Sequence, residues 1–72
     1  MNPNRFRVGS IECTFRAVPA DKRWTTQIVL TNHGKSPPEV STIDGVVLFG
    51  TQVEALSFAE GLARDLAESQ LR

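Results

Sequence analysis

The fold is decided by the stretch IECTFRAVPADKRWTTQIVLTN, residues 11–32. Its first part alternates apolar and polar side chains, which is typical of a strand with one buried face. Its last part, residues 23–32, is rich in Thr, Val and Ile, which strands favour. The segment Pro19-Ala20-Asp21-Lys22 between them has the composition of a turn. The stretch therefore predicts an antiparallel hairpin with strands at about residues 11–18 and 23–32.

A four-residue loop at residues 19–22 predicts which residues of the two strands face one another. Val18 then lies opposite Arg23, and a shift by one residue would carry the apolar side chains to the polar face. The further pairs place nearly every apolar residue on one face: Ala17 with Trp24, Phe15 with Thr26, Cys13 with Ile28, and Ile11 with Leu30. The opposite face is uncovered in a monomer and carries Glu12, Thr14, Arg16, Arg23, Thr25, Gln27 and Val29.

The flanking residues extend this hairpin into a sheet. Residues 1–5 are expected to be frayed, and Gly9-Ser10 is interpreted as a bulge that reverses the side-chain alternation before it. Residues 32–38 predict a loop, because Gly34 and a proline pair interrupt strand pairing. Residues 39–49 predict a third extended stretch. It is either one strand bulged at Gly45 or a hairpin that turns at Asp44-Gly45.

The C-terminal part carries the clearest helix signal. Thr51 and Glu54 have the spacing of a capping box, and the apolar residues from 52 to about 69 form one stripe at helical spacing. Gly61 lies opposite that stripe, where it costs about 1 kcal/mol relative to alanine. Together the elements predict a single α+β domain over residues 1–72. In it, an antiparallel three- or four-stranded meander sheet packs on one C-terminal amphipathic helix.

The charges are balanced in total but not along the chain. The 72 residues carry eight basic and eight acidic side chains. Residues 1–36 hold six basic against two acidic side chains, for a net +4, whereas residues 37–72 hold two against six, for a net −4. This division favours a charged partner, or pairing of the basic part of one copy with the acidic part of another.

Residues that could carry out chemistry are few. His33 lies in the predicted loop, where an exposed side chain is the simplest expectation, and Cys13 alternates with polar residues as a small buried hydrophobe would. No spacing of Cys and His resembles a zinc site, and no phosphate-binding or dinucleotide-binding fingerprint is present. We therefore expect no enzyme, no catalytic or metal-binding residue, no cofactor and no small-molecule substrate.

The expected location is the cytoplasm. A single cysteine cannot form an internal disulfide, as small secreted domains usually do. The N-terminal residues contain no apolar run of signal-peptide length. The longest apolar run, residues 46–49, is far short of the roughly 20 residues that cross a bilayer. No membrane association is expected.

Two binding functions follow from these features. The uncovered sheet face predicts an interaction module that forms a homodimer or binds a protein partner. The alternative is a nucleic-acid-binding module, since basic and hydroxyl side chains contact phosphates, although the sequence pI of about 6.5 is low for that class. Trp24 is expected to pack in the core rather than to stack on a base. The candidate binding surface is Arg16, Arg23, Lys22, Thr14, Thr25 and Gln27 on or beside the strands, with Arg5 and Arg7 on an N-terminal arm.

The C-terminal half also carries a resemblance to known proteins. The pattern Phe49-x-Thr51-x-x-Glu54-Ala55-x-x-Phe58-Ala59-x-x-x-Ala63 after a Trp-containing hairpin resembles small uncharacterised bacterial β-β-β-α proteins of the domain-of-unknown-function type. The resemblance covers roughly residues 11–68, implies a bacterial cytoplasmic protein and adds no activity. The order of strands and helix is also similar to that of double-stranded-RNA-binding domains and of the arm-binding domains of phage integrases. The Lys-rich helix motif of the former is missing.

Overall fold

The computed structural model describes residues 4–70 and shows one open sheet with one helix. The strands are β1 (Arg5–Val8), β2 (Ile11–Ala20), β3 (Arg23–Asn32) and β4 (Glu39–Asp44), and the helix is α1 (Gln52–Gln70). The strands are antiparallel and lie in the order β1-β2-β3-β4. We call the sheet face that packs on α1 the inner face and the opposite one the outer face. The predicted α+β meander on a C-terminal helix is confirmed, with four strands.

β1 is a separate strand that the alternation pattern did not predict. Gly9-Ser10 form a two-residue turn, with Gly9 at a φ of 60°, rather than a bulge. The turn sets Phe6 opposite Cys13, so its side chain joins the inner face. The expectation of a frayed end was wrong for residues 4 and 5, because the Asn4 carbonyl accepts a hydrogen bond of 3.0 Å from the Phe15 N–H. Residues 1–3 lie outside the described range.

The β2–β3 hairpin is tighter than predicted. Asp21 and Lys22 form a two-residue turn with φ values of 49° and 64°, as in the type I′ turns whose twist matches that of the flanking strands. β2 therefore continues through Pro19, which lies opposite Trp24, and Ala17 lies opposite Thr26. The predicted register was wrong by two residues. Because side chains alternate with a period of two, this shift leaves each of them on its predicted face.

Asp44-Gly45 does not form a hairpin. The Gly45 N–H donates a 2.7 Å hydrogen bond to the Thr26 carbonyl, and Trp24 and Phe49 exchange two backbone hydrogen bonds of 2.9 and 2.7 Å. The chain thus continues along β3 beyond β4, with residues 46–48 bulging out. A Cβ at Gly45 would clash with Thr26 Oγ1, so glycine is needed for this close approach. Neither alternative for residues 39–49 is correct: no hairpin forms, and β4 ends at Asp44, after which Phe49 pairs with Trp24 through an isolated bridge.

The core lies between α1 and the inner face. Thr51 caps the helix as predicted, because its Oγ1 accepts a 3.2 Å hydrogen bond from the Glu54 N–H. α1 packs on β1, β2 and β3 but not on β4, so the inner side of β4 is left open. The helix approaches the sheet through small side chains, and it buries Ala59, Ala63 and Ala67 against Ile11, Cys13, Phe15, Ile28 and Leu30.

Candidate binding surfaces

The outer face carries the predicted basic surface. The strand register places Thr14 and Arg16 of β2 on this face with Thr25 and Gln27 of β3. No other element of residues 4–70 packs on it. Arg23 starts β3 at the same end as the turn residue Lys22. The structure corrects one point of the prediction: two of the residues lie in an edge strand rather than on a free arm, namely Arg5 and Arg7.

A row of hydrogen bonds crosses the outer face. Arg16 Nε donates to Gln27 Oε1 at 2.7 Å, and Gln27 Nε2 donates to Asp44 Oδ1 at 2.9 Å. The register causes this row, because Arg16 is opposite Gln27 and Gln27 is opposite Asp44. The bonds orient Arg16 through its Nε. Within the described part of the chain, Arg7, Lys22 and Arg23 have no carboxylate partner, and they remain able to bind an anion.

Glu12 lies at the other end of the outer face between Arg5 and His33. It forms an ion pair with Arg5 and a 2.8 Å hydrogen bond with His33 Nε2. The hydrogen bond with His33 and the charge of Arg5 hold the pKa of Glu12 below its ordinary value, although partial desolvation opposes them. His33 is exposed, as expected. This cluster connects β1 and β2 with the end of β3.

A cleft of about 200 Å³ opens between α1 and the end of β4. Exposed apolar side chains surround it: Val46 is 93% exposed, Val47 48% and Phe58 44%. The Phe58 ring rests against Phe49, with 5.3 Å between the ring centroids. Because residues 46–49 were predicted to form a strand, this exposed apolar surface was not expected. The apolar run at residues 46–49 was the sequence feature that could have indicated it. The cleft is lined by Thr26, Ile28, Ile43, Asp44, Gly45, Val46, Val47, Phe58 and Leu62.

The remaining candidates for chemistry have structural places. Cys13 is fully buried, its Sγ lies 3.9 Å from the Ala63 carbonyl, and burial raises the pKa of its thiol. Trp24 lies half-buried on the predicted inner face, opposite Pro19, but outside the core cluster in which it was expected to pack. Among residues 4–70, no cluster of three His, Cys, Asp or Glu side chains is placed to hold a metal ion. No helix in this range is long and apolar enough to cross a membrane.

Comparison of the chain with protein-family models, with curated proteins and with solved structures gave no match. Two surfaces of the described residues are open to a partner: the outer face and the cleft beside β4.

Proposed function

We propose that the protein is a non-catalytic interaction module that associates with a second copy of itself. The observation that supports this proposal is the exposed apolar surface at the cleft, where Val46, Val47 and Phe58 surround a hollow beside an edge strand. Exposed apolar side chains that lie together mark interaction sites in soluble proteins, because covering them removes apolar surface from water. The outer face was the first expectation for this contact. Five of its polar side chains already bond with one another, which favours the cleft side: Arg5, Glu12, Arg16, Gln27 and Asp44.

Light scattering combined with size-exclusion chromatography tests the proposal. We expect a mass above the 7.9 kDa of one chain that rises with protein concentration. The change Val46→Ser should reduce the mass, because this side chain lines the cleft and is almost fully exposed. The matched control is Val53→Ser, at a position that is 72% exposed but does not line the cleft. A mass of 7.9 kDa at all concentrations would contradict self-association.

A second candidate function is nucleic-acid binding, which the separation of charge between the two sides of the molecule favours. Arg16 and Arg23 lie on the outer face with Lys22 in the turn beside it, and α1 on the other side is acidic. A basic sheet face can contact phosphates while the acidic helix points away from them.

Fluorescence anisotropy with labelled DNA and RNA duplexes tests this candidate. We expect binding at low salt that weakens steeply as salt is added. The double change Arg16→Ala with Arg23→Ala should abolish this binding. Lys35→Ala serves as the control, because Lys35 lies in the loop and pairs with Glu39. Lack of binding at low salt would exclude the candidate.

A cytoplasmic location is part of the proposal. The single cysteine, Cys13, is buried in the core, which suits a protein of a reducing compartment. The resemblance to small bacterial β-β-β-α proteins stays a prediction.

A further inference from the structure

We infer that the copies associate head to tail, with β1 of one copy added to the free edge of β4 in the next. This inference rests on the proposed self-association and names the strands that meet. β1 and β4 are the two outer strands of the sheet, so each has one edge without a strand partner in residues 4–70. Because neighbouring strands alternate in direction, β1 of a second copy continues the sheet beyond β4 in antiparallel orientation.

The charges of the two edges select this pairing over the symmetric ones. β1 carries Arg5 and Arg7, whereas β4 begins with Glu39 and ends with Asp44. Two β1 strands that kept their inner faces together would bring arginine opposite arginine, and two β4 strands would bring four carboxylates to one seam. Like charges on paired strands destabilise a sheet and opposite charges stabilise it. Only the β1–β4 pairing places opposite charges across the seam.

One register satisfies both the charges and the apolar side chains. If outer-face residues lie opposite outer-face residues, Arg5 of one copy can face Asp44 of the next. The same register then sets Phe6 opposite Ile43. Ile43 lines the cleft, so Phe6 of the second copy is added on its open side. A slip of two residues toward the start of β4 would instead place Val8 opposite Glu39, which removes both favourable pairs.

The pairing also joins the two polar groups of the outer face. Asp44 ends the row that starts at Arg16, and Arg5 of the next copy belongs to the Glu12 cluster. Charged residues normally protect an edge strand from unrelated strands. Here the charges of the two edges are complementary, so pairing of β1 with β4 is favoured, and pairing of two identical edges is disfavoured by like charges. A head-to-tail contact either closes into a ring or continues as an open chain.

Disulfide trapping between two variants of the full chain tests the inference. Arg7 and Thr42 face each other in this register, both are exposed, and neither side chain makes a hydrogen bond or ion pair within residues 4–70. Opposite residues of antiparallel strands are separated by a Cα distance that a disulfide can span. We expect a mixture of Arg7→Cys and Thr42→Cys chains to form the mixed disulfide dimer under mild oxidation. Its yield should exceed that of either homodimer about tenfold.

The possible outcomes separate the arrangements. Arg7→Cys homodimers in excess would indicate β1–β1 pairing, and Thr42→Cys homodimers in excess would indicate β4–β4 pairing; either result overturns the inference. Val40→Cys is the register control, because Val40 is exposed on the same side of β4 two residues away and should trap less mixed dimer. If the wild-type mass rises with concentration but no mixed disulfide forms, this inference fails and self-association stands. A wild-type mass that stays at 7.9 kDa would contradict both self-association and the β1–β4 pairing.

Discussion

Glu12 shows how a single side chain on an open sheet face connects distant parts of the chain. Its carboxylate bonds with Arg5 of β1 and with His33 beyond the end of β3, and the Glu12 side chain is only 17% exposed. Both partners stabilise the ionised carboxylate. The resulting low pKa of Glu12 makes part of the stability of the fold dependent on pH.

We predict that Glu12→Gln lowers the free energy of unfolding at neutral pH and that its effect fades in acid. A carboxyl whose pKa is lowered by folding contributes stability above its unfolded-state pKa. That stability is lost as the pH falls through the lower, folded-state value. Urea unfolding, followed by the fluorescence of Trp24, measures this between neutral pH and roughly pH 3. Glu68→Gln on the exposed side of α1 is the control. A difference between wild type and Glu12→Gln that stayed constant across this range would contradict the prediction.

Some residues were predictable and others were not. The place of Cys13 in the core follows directly from its alternation with polar neighbours. The turn at Asp21 and Lys22 does not follow, because both adopt positive φ values and Lys22 occupies the second position, where a glycine would signal a two-residue turn. A four-residue loop was therefore expected, and this longer loop shifted the predicted β2–β3 register by two residues.

At the scale of elements, α1 was the most predictable part of the molecule. The predicted range of about residues 52–69 agrees with the observed Gln52–Gln70. The capping residues and the apolar spacing are local features of the sequence, so they predict the helix without knowledge of the tertiary packing. Gly61 is the exception in this helix. It lies on the exposed side, where a Cβ would meet nothing within 4 Å.

We predict that Gly61→Ala raises the free energy of unfolding by about 1 kcal/mol, because alanine is the better helix former and no neighbour obstructs its methyl group. Urea unfolding of the variant and the wild type measures the change. Gly45→Ala is the contrasting control and should destabilise the protein, since its Cβ would clash with Thr26. A Gly61→Ala variant no more stable than the wild type would contradict the prediction.

β1 and the segment after β4 were the elements that local patterns described poorly. β1 has only four residues, too few for its alternation to be separated from that of β2. The apolar run at residues 46–49 is typical of a buried strand, yet Val46 is exposed because α1 lies over the first three strands and leaves this side open. Where a helix crosses a sheet depends on packing across the whole domain, which periodicity in the sequence does not encode. The cleft could not be predicted for this reason.

For the whole molecule, the periodic patterns predicted the layers and the outer-face residues correctly because an even shift of register preserves the faces. The basic and acidic halves of the sequence correspond in the folded molecule to a basic outer sheet face and an acidic helix. Among residues 4–70, four arginines against two carboxylates lie on the outer face, and α1 carries four acidic side chains against Arg64.

This arrangement gives the molecule an electric dipole moment, although its net charge is zero. Opposite charges occupy opposite sides of a body that measures 39 × 24 × 19 Å, so the molecule has a dipole directed from the helix to the sheet. At an ionic strength of about 0.1 M, electrostatic potentials extend roughly 10 Å from a surface. Within that distance of a charged partner, the field orients the protein before contact. The sheet side then faces a negatively charged partner, and the helix side faces a positively charged one.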